Sequence, residues 1–169
     1  METLKAILTR RSIRKYSGKD IPGEYYEILL KAAMHAPTAR NRQPWHFILV
    51  DDRSVLQQLS EVNPSWKMLA EAAGAIVICG DLNLEDTESF IIQDCAAATQ
   101  NILLAAHELG LGTVWLGVHP REDRLLPLKE ILHIPGHIIP VSMISVGKPD
   151  EERETPDRYN EDRIHQNGW

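Results

Sequence analysis

The sequence predicts an α+β or α/β fold, with one sheet covered by helices on both faces. Four runs rich in β-formers alternate with segments whose apolar residues recur at helical spacing. One such segment, Ser89 to Leu109, keeps that spacing for about six turns. The apolar pattern then stops at Gly147, leaving a charge-dense remainder. At 169 residues the chain can bury one substantial core, so a single domain over 1–169 is expected, with 148–169 as a C-terminal arm.

Glu2 to Thr9 reads as a short helix, followed by basic residues and a turn at Ser17-Gly18-Lys19-Asp20. Pro22 suits a first helical position, and Tyr25, Ile28, Leu29, Ala32 and Ala33 continue a helix until Ala36-Pro37. Trp45 to Val50 and Ala75 to Cys79 read as buried strands bounded by turn residues. Between them, Val55, Leu56 and Leu59 mark one short helix, and Trp66, Leu69 and Ala73 a second. The long helix Ser89 to Leu109 is rich in alanine, which predicts close packing against a neighbour, and Gly110 ends it. Thr113 to Val118 reads as a strand, Arg121 to Leu132 as a helix containing the unfavourable Pro127, and Ile138 to Val146 as the last strand. The arm carries Tyr159, Ile164 and Trp169, which predicts that it wraps around something.

With 43% hydrophobic and 25% charged residues, the composition is that of a folded globular protein. A net charge of -6 argues against nucleic acid or an anionic membrane as a partner. The opening residues lack a signal-like apolar stretch, and no later run is long enough to span a bilayer. Cys79 and Cys95 have no metal-ligand spacing, so a reduced, cytoplasmic protein is expected.

Arg10, Arg11 and Arg14 crowd three guanidinium groups at the end of the first helix, with Ser12 adding a hydroxyl. Arginine forks donate paired hydrogen bonds to phosphate oxygens, so the segment reads either as a phosphate clamp or as a solvated basic patch. The seven histidines are scattered; His133 and His137 are four apart, but Pro135-Gly136 breaks any helix between them, and no metal site is expected. No Gly-x-Ser-x-Gly motif is present. The glycines from Gly110 to Gly117 follow a helix and enter a strand, the reverse of a dinucleotide-binding turn. Trp115 in that segment reads equally well as core packing.

The segment Pro37-Thr38-Ala39-Arg40-Asn41-Arg42-Gln43-Pro44-Trp45, following Arg10-Arg11-Ser12-Ile13-Arg14 and leading into a strand, resembles the signature of the nitroreductase family. Lys67-Met68-Leu69, the run Asp94 to Asn101, the run Gly110 to Gly117 and the terminal Arg158 to His165 extend the resemblance to nearly the whole chain. It implies a central mixed, mostly antiparallel sheet flanked by helices in an intertwined homodimer.

The resemblance further implies a bound FMN, reduced by NADH or NADPH, that passes hydride from its N5 atom to a small-molecule electron acceptor such as a nitroaromatic or quinone, in ping-pong order. No side chain would act as nucleophile. Arg10, Arg11, Ser12, Arg14 and the late Arg158 would hold the cofactor phosphate. Pro37, Thr38, Ala39, Asn41 and Gln43 would meet the flavin, the two amides matching its alternating C=O and N–H edge, largely across the dimer. Backbone at Trp115, Leu116 and Gly117 would pass the ring, and Lys67 would lie near it. Because the chain has little room for the insertion that covers the site in longer members, an open pocket is expected. Relatives with other chemistry leave two alternatives: dehalogenation or flavin breakdown, and a flavin-binding module without turnover.

Overall fold

The computed structural model describes residues 2–169. The elements are α1 (Thr3–Thr9), α2 (Gly23–Met34), β1 (Trp45–Val50), α3 (Arg53–Val62), β2 (Gly74–Asp81), α4 (Glu88–Glu108), β3 (Gly112–Gly117), α5 (Glu122–Ile131) and β4 (Ile138–Gly147). Short 3-10 turns cover Ala39–Asn41, Pro64–Glu71 and Glu161–Arg163. The strands pair in the order β1-β2-β4-β3, every neighbour antiparallel. The expected mixed sheet is thereby corrected among the named strands. The parallel component shrinks to one bridge between Ser12 and Thr113, because the segment 10–14 touches β3 only at that strand's beginning.

Side chains alternate across the sheet, and both faces are covered. On β2, Ile76 and Ile78 face α2 and α4 in a cluster with Leu29, Ile91 and Ile102. Ala75, Val77 and Cys79 face the other way, into a cluster with Leu56, Trp66 and Leu128 beneath α3, the Pro64–Glu71 turn and α5. A strand buried on both faces reads as a continuous apolar run, which is why β2 was legible without alternation. The long helix α4 packs closely on the sheet through Ile91. A Cβ at Gly80 would stand 1.9 Å from Ile91 Cγ2, so α4 lies where only a glycine on β2 admits it. Thr99 Oγ1, buried on α4, bonds the Cys95 carbonyl and Ser142 Oγ, both at 2.7 Å.

Two details refine the expectation and a third agrees with it. Pro22 is the N-cap of α2 rather than its first residue, since its ψ of 137° is extended. The segment around Trp66 winds as a 3-10 turn, opened by Asn63, whose side chain accepts the Ser65 N–H. Pro127 lies inside α5, which continues through it to Ile131. Among the described residues no helix is long and apolar enough to cross a membrane.

Candidate functional site

The arginine segment is placed by the N-terminal rim of β3. Chain 10–14 leaves α1 extended, and Ile13 N–H donates to the Thr113 carbonyl at 2.9 Å. The C-terminal chain then returns alongside it: Ser17 N–H bonds the Lys148 carbonyl at 3.0 Å and Asp150 N–H bonds the Lys15 carbonyl at 2.9 Å. Glu151 fastens the two strands of chain together. Its carboxylate accepts Arg14 N–H at 2.6 Å and Lys15 N–H at 3.2 Å, and meets Arg153 Nη2 at 2.8 Å. The backbone N–H of Arg14, ahead of Arg153, holds that carboxyl below the usual range. This fastening brings Arg158 beside Arg10, and Arg10, Arg11, Ser12, Arg14 and Arg158 together line one open cleft of about 620 Å³.

The guanidinium groups in that cleft are not equivalent. Arg11 is already engaged: it donates to the carbonyls of Leu8 at 2.8 Å, Arg10 and Glu154 at 3.0 Å, closing the C-terminal end of α1 and tethering the arm. Among the described residues, the side chains of Arg10, Ser12, Arg14 and Arg158 have no hydrogen-bond partner. Burial, then the neighbouring charges of Arg11 and Arg158, lower the pKa of Arg10, in a cleft that Glu152 and Glu154 also line.

The free edge of β3 runs away from this cleft. Thr113 and Gly117 turn their carbonyls outward, to Ile13 N–H and to Arg124 Nη1 at 2.8 Å. Backbone groups alternate sides along a strand, so the N–H groups of Trp115 and Gly117 also face outward from the sheet. Trp115 is 38% exposed, so it is not core, while Leu116 is buried. The nearest atom to a Cβ added at Gly117 would be Arg124 Nη1, at 3.8 Å.

Asn41 and Gln43 lie elsewhere. They belong to the loop that enters β1 at Trp45, on the opposite edge of the sheet and toward the opposite end. Three strand spacings, about 14 Å, and six residues along the direction of β1, about 20 Å, separate Trp45 from the Ser12–Thr113 bridge. Pro37, Thr38 and Ala39 lead into this loop. Arg40, Asn41 and Gln43 have φ of 53°, 55° and 49°, a left-handed conformation costing of order 1–2 kcal/mol for a residue with a Cβ. Within one chain, the amide loop and the arginine cleft are not brought together.

Lys67 lines neither region; it borders a separate cavity of about 470 Å³ with Gln57, Asn63 and Pro64. Several histidines have ordinary partners: His107 bonds Thr9 Oγ1 at 2.8 Å, His119 bonds Glu88 at 2.9 Å, and His165 stacks on Trp169 at 4.4 Å. Both cysteines are buried, and burial pushes each thiol up to about 12. Sequence reasoning missed Glu151, Arg153 and Arg124, because their roles come from chain segments that meet only in the fold. It also gave no role to Asp94, read only as the start of the family-like run 94–101, or to Glu85, which both bond the amide loop.

The chain matches the family model described as the Nitroreductase family, over residues 7–64 and 58–148. A protein of Archaeoglobus fulgidus, provisionally named an NADH dehydrogenase/NAD(P)H nitroreductase, is 52% identical over 172 residues, covering 99% of each chain. A Parabacteroides distasonis crystal structure with the same provisional name superposes with a TM-score of 0.95 at 42% identity, covering 99% of this chain and 98% of that one. A Desulfovibrio desulfuricans structure, provisionally a nitroreductase and solved in complex with FMN, superposes at 0.87 with 27% identity, covering 100% and 98%. With a family model spanning most of its length and a relative at this identity from end to end, the chain belongs to the nitroreductase family.

Proposed function

We propose that this chain is an FMN-dependent oxidoreductase that carries hydride from NADH or NADPH to a small oxidised acceptor, such as a nitroaromatic or quinone, and works as a homodimer. The observation that carries the reading is the layout of β3: an arginine cleft with unpartnered guanidinium groups at its start, and outward N–H groups of Trp115 and Gly117 further along. Four residues, about 13 Å of strand, separate Thr113 from Gly117. That donor set fits a molecule with a dianionic phosphate at one end and a flat, acceptor-rich ring at the other.

The residues divide the work. Arg10, Arg14 and Arg158, with Ser12, would hold the phosphate; arginine suits this because its charge persists at any working pH. Arg11 positions the segment by closing α1 and tethering the arm. The outward N–H groups at Trp115 and Gly117 would fix the ring's edge, held in line by Arg124 on the Gly117 carbonyl. Bound in this way, FMN would supply the hydride-transfer chemistry, and these residues would hold and orient it. No side chain of this protein needs to form a bond to substrate.

The sheet-wide separation of the amide loop supports a shared site. Asn41 and Gln43 of one copy would complete the ring contacts of the other, giving two sites per dimer. Tyr159, Ile164 and Trp169, exposed on the arm at 72%, 58% and 104%, are the apolar surface expected of a segment that embraces a second chain.

The test is the absorption spectrum of the purified protein during anaerobic titration with NADH and NADPH. Flavin bands that bleach on addition support the reading. A colourless protein that takes up no added FMN overturns it, and a yellow protein that neither nucleotide bleaches limits the chain to flavin binding.

A further inference from the structure

The loop of residues 38–43 is held by two carboxylates that sit almost wholly inside the protein. Asp94, on α4 and 5% exposed, accepts Ala39 N–H with both oxygens, at 3.0 and 3.2 Å. Glu85, 2% exposed, takes the Arg40 guanidinium at 2.6 and 2.7 Å and is itself fixed by Thr87 N–H at 2.9 Å. Arg40 also lies over the Phe90 ring, 5.7 Å from its centroid. Thr38 Oγ1 accepts Gln43 N–H at 3.2 Å, closing the loop from the other side. Between these anchors the backbone is left-handed at Arg40, Asn41 and Gln43.

Buried carboxylates are a costly way to hold a surface loop. Neither belongs to the apolar cluster between α4 and the sheet. What they fix is the direction of Asn41 and Gln43, which are exposed and whose amides make no hydrogen bond among the described residues. Strain held in place beside unpartnered polar groups is the pattern of a preorganised contact.

We infer that Asp94 and Glu85 are positioning residues that hold the Asn41–Gln43 loop in the one conformation that presents its amides to the flavin ring. This rests on the functional reading above. The two carboxylates touch neither cofactor nor substrate; they act through Ala39 and Arg40.

The experiment uses the full-length protein and FMN itself, comparing wild type with Asp94→Ala, Asp94→Asn and Glu85→Gln. It records the FMN dissociation constant, the midpoint potential of the bound flavin, and the melting temperature without FMN. Asp94→Ala leaves Ala39 N–H unpaired and should weaken FMN about tenfold or more. It should also move the potential toward that of free FMN, which a carboxylate serving stability alone would not do. Asp94→Asn keeps an oxygen for Ala39 and should restore the dissociation constant to within about twofold and return the potential to the wild-type value. Glu85→Gln, which surrenders the ionic half of its pair with Arg40, should shift both in the same direction as Asp94→Ala and decides the matter if that variant does not fold. Wild type that binds no FMN overturns the functional reading and the brace with it. Wild type that binds, with potential and affinity unmoved in Asp94→Ala or, failing that, in Glu85→Gln, overturns the brace alone.

Discussion

Alanine at Arg11 and alanine at Arg14 should produce opposite signatures, although the two residues are three apart in one basic run. Arg11 donates to the carbonyls of Leu8, Arg10 and Glu154 and is half-buried. At about 0.5–1.5 kcal/mol per net hydrogen bond, and allowing for partial exposure, its loss should cost about 2 kcal/mol of folding stability. For a chain of this size that lowers the melting temperature by roughly 4–8 °C. The Arg14 side chain is exposed and bonds nothing in the fold, so its removal should change stability by less than about 0.5 kcal/mol. If it grips a phosphate, the lost charge-assisted bond of about 1.5–3 kcal/mol weakens FMN roughly 10- to 100-fold. Differential scanning fluorimetry without FMN and a fluorescence titration with FMN read the two effects separately. An Arg11→Ala protein as stable as wild type, or an Arg14→Ala protein that binds FMN normally, would refute this division of labour.

Three further outcomes follow from the geometry. A Cβ at Gly112 would stand 2.7 Å from Ile13 Cγ2, so Gly112→Ala should cost about 1–3 kcal/mol and weaken FMN by shifting the arginine segment. Adding Ile13→Ala should recover part of both losses; no recovery would mean that the clash is not the cause. His107 has its pKa lowered by burial and then by Arg10, so the unfolded chain takes up a proton first as pH falls. Its contribution is therefore present above about pH 6.5 and lost as pH falls through the lowered folded value. Urea unfolding at successive pH values should show that loss in wild type and less of it in His107→Gln; identical profiles would contradict the assignment. Truncation before Arg158 removes residues that are exposed in the single chain, and should leave its own melting nearly unchanged while weakening FMN about 10-fold or more and shifting sedimentation toward monomer. Unaltered FMN binding and assembly would free the arm of both roles.

Legibility in the sequence followed the range of the interaction. β1 was readable to the residue because Pro44 and Asp51 bound a run of β-formers, and α4 because its spacing persists long enough to outweigh local noise. The short helix around Trp66 was readable from its spacing, but its 3-10 winding and its start at Pro64, after the Asn63 cap, were not. The arginine cleft was legible as a motif, but its internal division was not. Whether a guanidinium faces a ligand or a backbone carbonyl depends on where residues 148–158 return, a contact made across more than a hundred residues of chain.

By itself the sequence determined the family, the alternation of helices and strands, and the residue types able to hold a phosphate and a flat polar ring. These are written in local spacing and in motifs whose order survives without coordinates. Only the tertiary structure decided that the strands run wholly antiparallel, that Arg11 is spent on the fold while Arg10, Arg14 and Arg158 remain free, and that Asp94 and Glu85 lie beneath the amide loop. It also put Asn41 and Gln43 a full sheet's width from the arginines. Each of these depends on which distant segments share a surface, and that is fixed by burying two apolar faces of one sheet at once, a condition no local stretch of sequence contains.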